Sequence, residues 1–351
     1  MKLHGTCRFF LFTLVLGMMM MGLFTGCSGE LTPSQAFGKR ELSDESYVKD
    51  GKRSVTLASW NTQTFFDAVP DGTEYSDFQK PEKWTSAMYE KRLDRLCEVM
   101  VLLSSDIIVL EEIENKAVMQ DIVNRLASGS WDTKKNWQYT CFAKETGSAI
   151  GCAVFSRYKI SEMLVHTMDI RIHETAQPSE RPMIQVTIKV EDSDLVIFVN
   201  HWKSKSGGEE ESEIWRDWQE SLLAEKLFDA KGCVVACGDF NRSAEDFIIH
   251  KNTAKKTNLI LRRSDGSVVE VYSPWLSMSG DYDSEKGSYF YKDSWERIDN
   301  IFAVQNVVLS RFSELNIAPV ADEEGKPVSY KMYSEAGYSD HLPVKCVVTL
   351  L

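Results

Sequence analysis

Two short polar runs interrupt apolar stretches in the second half of the chain: Gly238-Asp239-Phe240-Asn241 after 233–237, and Ser339-Asp340-His341 before 342–350. The first sets a carboxylate near a carboxamide, and the second sets a carboxylate beside an imidazole. Carboxylate oxygens hold hard divalent cations and imidazole exchanges protons near neutrality, so the two runs suit metal-assisted hydrolysis of a phosphodiester. Asn61 follows the apolar run 55–60, Glu112 ends 106–111, His201 ends 195–200, and Asp299 lies within 296–302. Any one of these alone reads as turn chemistry or a structural polar group. Six such elements at strand ends need a fold that brings strand ends together.

The elements that must do this are legible from periodicity. Leu93, Leu96, Val99, Met100 and Leu103 recur at helical spacing within 81–104, a second helix is expected near 116–127, and a third over 212–229 turns Ile214, Trp218, Leu222, Leu223 and Leu227 toward a core. Short apolar runs at 106–110, 137–143, 150–155, 160–167, 183–190, 195–200, 233–237, 268–272, 288–291, 298–304, 307–312 and 342–350 read as strands. Strand runs interleaved with a few long helices fit two sheets packed face to face with helices outside, the polar strand ends meeting on one edge.

In the order Asn61, Glu112, His201, Asp239-x-Asn241, Asp299 and Asp340-His341, residues 54–351 resemble the endonuclease/exonuclease/phosphatase superfamily, of deoxyribonuclease I-like fold. The resemblance implies an α+β, four-layer αββα sandwich. It implies Glu112 as principal metal ligand, with Asn61 beside it and Asp340 as a further ligand, for Mg2+ or Mn2+ with Ca2+ as an alternative. Glu111 stands where relatives often carry Gln, and Glu112 is preferred on the family's Leu-x-Glu pattern. His341 pairs with Asp299, Asp239 aligns or activates the water, Asn241 bonds the scissile phosphate, and His201 contacts that phosphate or protonates the leaving oxygen. Which histidine is base and which is acid stays open. Arg157, in Phe155-Ser156-Arg157-Tyr158, matches a Ser-Arg that relatives carry after a strand and is a candidate phosphate contact.

For the substrate, several runs resemble secreted extracellular deoxyribonucleases: Leu110-Glu111-Glu112-Ile113-Glu114-Asn115, Arg181-Pro182, Asn200-His201-Trp202-Lys203-Ser204-Lys205, and Arg216 through Gln219. Lys203 and Lys205 would suit a phosphate backbone, and DNA is expected ahead of RNA. Tyr289, Tyr291 and Trp295 are candidates for lining a groove and stacking on bases. Arg297-Ile298-Asp299-Asn300 departs from the Leu-Asp-His of that group and resembles abasic-site and exonuclease III-like enzymes instead. One alternative is a phospholipid phosphodiesterase of the same fold, for which Tyr272-Ser273-Pro274-Trp275-Leu276 would be the apolar hairpin; another is a non-catalytic surface lipoprotein. Nothing in the sequence calls for a protein partner.

Lys2 and Arg8 precede an apolar run, 9–24, and small residues around Cys27, which reads as an export signal. Residues 23–27 resemble a bacterial lipobox, so 1–27 is expected to be a lipoprotein-type signal whose Cys27 carries the acyl anchor into a membrane. Residues 28–52 read as a polar tether and 53–351 as one catalytic domain, exported and held at the cell envelope or secreted. The formal charge is −12; without Lys2 and Arg8 it is 38 basic against 52 acidic, or −14. Such a chain cannot hold nucleic acid by bulk charge, so a polyanion needs local cations around a metal. Most of the six cysteines after Cys27 lie in apolar runs, where a thiol packs as a small core residue; Cys141 and Cys152 flank a turn, and pairing stays open.

Overall fold

The computed structural model describes residues 53–128, 137–168, 177–178, 180–282 and 284–351, so the expected signal and tether lie outside the described residues. Six strands form the first sheet, in spatial order β15 (Val307–Glu314), β16 (Val344–Leu350), β1 (Ser54–Phe65), β2 (Ile107–Ile113), β4 (Gly151–Ser156) and β3 (Tyr139–Ala143). Five form the second: β14 (Asp299–Gln305), β8 (Cys233–Asp239), β7 (Ser193–His201), β6 (Met183–Val190) and β5 (Ile160–His166). In each sheet a parallel pair, β1 with β2 and β7 with β8, is flanked by antiparallel neighbours.

The central strands are apolar almost without a break because both of their faces are covered. Val55 and Leu57 of β1 and Val109 of β2 meet Val186, Ile197, Val199 and Val235 of the second sheet in the inner core. Alternate residues, Ala58, Trp60, Ile108 and Leu110, face outward onto helices α1 (Ser86–Leu103) and α2 (Lys116–Ser128). Helix α1 begins where the Thr85 hydroxyl accepts from the Met88 amide, and ends at Ser104 in left-handed conformation, φ 47°. On the far side Val196, Phe198, Val234 and Ala236 pack against α3 (Glu209–Asp229) and a small sheet of β9 (Ile248–Asn252), β10 (Thr257–Arg262) and β11 (Val268–Val271). The result is the α+β sandwich expected, with a three-stranded sheet sharing the fourth layer.

Two expectations fail. In α3 the buried face carries Trp215, Leu223, Ala224 and Leu227, whereas Ile214 and Trp218 are exposed. Trp275 and Leu276 are 1 % and 0 % exposed: they enter the inner and outer cores, with both ends of their turn held by the Asn258 side chain, which donates to the Ser273 and Leu276 carbonyls. No apolar hairpin projects there. Cys141 and Cys152 sit opposite Val154 and Ala143, out of register with one another, and all six cysteines are free thiols. Among the described residues no helix is long and apolar enough to cross a membrane.

Candidate active site

Register alone delivers most of the polar residues to one edge. Parallel pairing sets Asn61 opposite Glu111 in the first sheet and His201 opposite Asp239 in the second, and the antiparallel partner strand β14 sets Asp299 opposite Asp239. The segment entering β16 closes the edge. Ser339 Oγ donates to the Asn61 carbonyl at 2.6 Å, and Trp60 Nε1 donates to the His341 carbonyl at 3.1 Å.

Two local devices aim the side chains. By strand alternation Glu112 would follow Leu110 onto the helix-covered face. Instead the ladder slips between Glu111 and Ile113, and Glu112 takes a positive φ of 64°, a β-bulge that turns its carboxylate to the strand end. Glu111 keeps the inner position, where it is fully buried and accepts from Ser59 Oγ at 2.7 Å. Burial, and then Asp299 and Asp239 nearby, raise its pKa well above the usual range. Glu111 is therefore held as a neutral acid between the sheets, and Glu112 is the glutamate at the site. The second device is Gly238, at φ 132°, where an added Cβ would lie 1.9 Å from the Asn200 carbonyl oxygen. Only glycine lets β7 and β8 approach this closely.

At the edge Asn61 Nδ2 lies 3.3 Å from Glu112 Oε1 and 3.0 Å from Asp239 Oδ2. Asn241, itself at φ 46°, donates its amide to Asp239 Oδ1 at 2.8 Å and its Nδ2 to Asp239 Oδ2 at 3.0 Å. His201 Nε2 stands 3.6 Å from Glu112 Oε1 and 3.7 Å from Asp239 Oδ2. His341 Nδ1 is 2.8 Å from Asp299 Oδ2, and Tyr289 lies against the His341 ring at 4.7 Å between centroids. Asp340 adds negative charge to Glu112 and to His341.

These contacts pull the titrations apart. Burial, with a further push from Asp299, raises Asp239 to about 7. Burial also opposes charge on His341, but Asp299, and after it Asp239 and Asp340, outweigh burial and hold that imidazole protonated well above its ordinary range. His201 goes the other way, lowered by burial and then by Arg181 and His341, so it stays neutral. Asp239, Asp299 and His341 bring polar atoms within 4.8 Å of one another, and among the described residues Asp299 Oδ1 is buried without a hydrogen-bond partner. Glu112 and Asp239, carboxylates whose pKa values burial raises, are groups that a divalent cation fits, because the cation replaces mutual repulsion with attraction.

The sequence model of the Endonuclease/Exonuclease/phosphatase family matches residues 56–349. The chain belongs to that family. Membership of the endonuclease/exonuclease/phosphatase family points to a hydrolase acting on phosphodiester bonds. Solved structures share the fold at low identity. D. rerio TDP2 complexed with single strand DNA product is 16 % identical over 84 % of this chain and 98 % of its own, with a TM-score of 0.52. The human Nocturnin catalytic domain with bound sulfate matches at 16 %, 85 %, 95 % and 0.52 on the same measures. An endonuclease/exonuclease/phosphatase family protein from Bacteroides thetaiotaomicron matches at 16 %, 86 %, 99 % and 0.51. The chain matches no curated protein sequence.

Of the residues expected from sequence, Asn61, Glu112, His201, Asp239, Asn241, Asp299, Asp340 and His341 come together. Arg157 does not. It follows β4 where that strand runs beside the start of β2, packs its guanidinium over Trp137 at 4.9 Å and reaches Asp106 at 3.3 Å. Six residues of extended strand, roughly 20 Å, separate that end from Glu112. Lys205 lies nearer, but its ammonium is met by Glu296 at 2.8 Å and Glu209 at 3.4 Å. Lys203 is half-buried, its Nζ 3.3 Å from the Ser204 carbonyl. Arg181 does reach the site: it acts electrostatically on both Glu112 and His201 and lines one cavity with His201 and Trp202. Its sequence signal was the Arg181-Pro182 pair ahead of β6.

Proposed function

We propose that the protein is an exported, divalent-metal-dependent nuclease acting on DNA. The observation that carries this is the convergence of Glu112 and Asn61 from one sheet with His201, Asp239, Asn241 and Asp299 from the other, and of Asp340-His341 from the segment between. In this reading Glu112, Asn61 and Asp340 hold Mg2+ or Mn2+, which when bound neutralises charge on the phosphoryl oxygens. Asp239, near pH 7 half deprotonated, takes the proton of the attacking water, with its carboxylate fixed by Asn61 and Asn241. His341, kept cationic by Asp299, donates a charge-assisted hydrogen bond to the phosphate. His201, kept neutral by burial, sets its Nε2 beside Glu112 and Asp239, in reach of the phosphate or the leaving oxygen.

Three features favour nucleic acid over lipid. The stretch 272–276 that a lipid-facing enzyme would insert is core. Tyr291, half exposed, stacks on Tyr289 at 6.1 Å and 23°, and Tyr289 reaches the His341 ring, a platform suited to bases. Arg181 and Lys203 supply the local cations that so acidic a chain requires. Export and anchoring at Cys27 are supported by the basic start, the apolar run 9–24 and the small residues at 25–29.

The test is hydrolysis by the full chain of plasmid, single-stranded DNA, RNA and sphingomyelin liposomes, with Mg2+, with Mn2+ and in excess chelator. Metal-dependent DNA cleavage is expected, lost by several orders of magnitude in Glu112→Ala because a catalytic cation contributes several kcal/mol. Cleavage in chelator would overturn the metal requirement, and liposome hydrolysis without DNA cleavage would overturn the substrate.

A further inference from the structure

A second group of acids lies beside the first, in the connection from β1 to α1. Asp71 and Glu74 of this loop and Glu114, just past β2, bring carboxylate oxygens within 4.8 Å of one another. The loop is fixed before any ligand arrives. Phe66 packs edge-on to Tyr75 at 5.5 Å and against Phe78 at 4.6 Å, and Trp84 Nε1 donates to the Asp67 carbonyl at 2.6 Å. Glu74 accepts from the Asp71 and Gly72 amides, and the Asp67 carboxylate accepts from Val69 N and Asn115 Nδ2.

Glu114 is the anomaly. It is 0 % exposed, its Oε2 accepts from the Asp67 amide at 2.5 Å, and its Oε1 has no hydrogen-bond partner among the described residues. A buried carboxylate oxygen left without a donor is costly, and burying it against two further carboxylates is more so unless a cation belongs there. Lys80 and Lys83 of the loop pair with Asp77 instead, and Lys144, whose ammonium lies 3.5 Å from Thr73 Oγ1, acts on Asp71 only electrostatically; among the described residues no ion pair to Asp71, Glu74 or Glu114 is formed.

We propose that Asp71, Glu74 and Glu114 bind a structural Ca2+ ion, distinct from the divalent metal of the active site. Oxygens spread over 4.8 Å can share one Ca2+ at about 2.3–2.6 Å each, and Ca2+ accepts several carboxylates with water completing its shell. Mg2+, at about 2.0–2.1 Å and reluctant to shed water, suits such a cage less well. The ion would pin the loop whose Tyr75 faces Arg181 and Glu112, so Ca2+ would support the frame of the active site from outside it. This site stands independently of the substrate.

The experiment is calorimetric titration and thermal melting of the full chain with CaCl2, and separately with MgCl2, in Glu112→Gln, Asp71→Asn and Glu74→Gln variants beside the parent. Expected are one Ca2+ bound and a Tm rise of several degrees in the parent and in Glu112→Gln, with affinity at least tenfold weaker in Asp71→Asn and in Glu74→Gln. Asp71 is exposed, so its variant keeps the fold, checked by circular dichroism. A parent whose Tm ignores Ca2+, a Ca2+ response unchanged in both loop variants, or Mg2+ acting as strongly as Ca2+ in Glu112→Gln, which lacks the active-site ligand, would overturn the proposal.

Discussion

Gly238 offers the sharpest test of how the two halves of the site are held in register. Its Cβ position lies 1.9 Å from the Asn200 carbonyl oxygen, and a contact below 3.0 Å is essentially never tolerated. Gly238→Ala must therefore push β7 and β8 apart by at least 3.0 − 1.9 = 1.1 Å, at the pair next to His201 and Asp239. A misplacement of about 1 Å costs on the order of 100-fold in rate, or about 2.7 kcal/mol. Overpacking and an alanine at φ 132° add a stability loss of roughly 1–3 kcal/mol, which at ~2–4 °C for each kcal/mol lowers Tm by several degrees. Glu112 and Asn61 belong to the other sheet, so metal affinity should hold while kcat falls. The assay is DNA cleavage at saturating metal, with a metal titration and a circular dichroism melt of the same preparation. Unchanged kcat and unchanged Tm would refute the claim that this close approach sets the geometry.

Asp299→Ala and His341→Ala should each lower kcat far more than they raise KM, and together cost much less than the product of the singles, because each loses the same 2.8 Å contact; strictly multiplicative losses would reject the pairing. His201 is buried with its pKa depressed, so below about pH 6.5 the unfolded chain takes up a proton that the folded chain refuses, and stability is lost as pH falls. In urea melts of the metal-free chain, the stability of His201→Gln relative to the parent should accordingly improve by up to ~1.4 kcal/mol for each pH unit below that point; a difference that does not move with pH would contradict a neutral His201. Trp275→Ala should destabilise by about 3–5 kcal/mol and impair all hydrolysis together, since Trp275 Nε1 also donates to the Asp299 carbonyl at 2.8 Å. A stable variant that lost only liposome hydrolysis would restore the lipid reading.

The sandwich was legible because its strands are covered on both faces and its helices on one, which writes two different periods into the chain. The polar strand ends were legible only as a set: Asn61, His201 and Asp239 each stop an apolar run, and any one of them alone reads as turn chemistry. Burial against another element left no such mark. The 272–276 stretch reads as apolar wherever it goes, and only the Asn258 side chain, holding the turn from both sides, decides that it goes inward. Strands β9 and β10 carry no clear apolar signal because His250, Lys251, Asn252 and the lysines at 255 and 256 interrupt the short apolar runs Ile248-Ile249 and Leu259-Ile260-Leu261. The choice between Glu111 and Glu112 rests on a bulge that no residue type announces. Arg157 follows β4 of the first sheet and Arg181 precedes β6 of the second, and it is the end of the sheet at which each emerges that separates them.

The pairing of β1 with β16 puts time into the fold as well as geometry. β1 meets β2 after some fifty residues but its other neighbour only after almost three hundred, and Ser339 and His341 are bonded directly to Asn61 and Trp60. Contacts so distant along the chain form late, after the loop between them has been closed. A partly folded chain can thus dock its helices and build most of both sheets while its catalytic dyad has only one member in place. For a protein read as a nuclease that leaves the cell, cutting ability would be the last property to appear, once residue 341 has come home to residue 60.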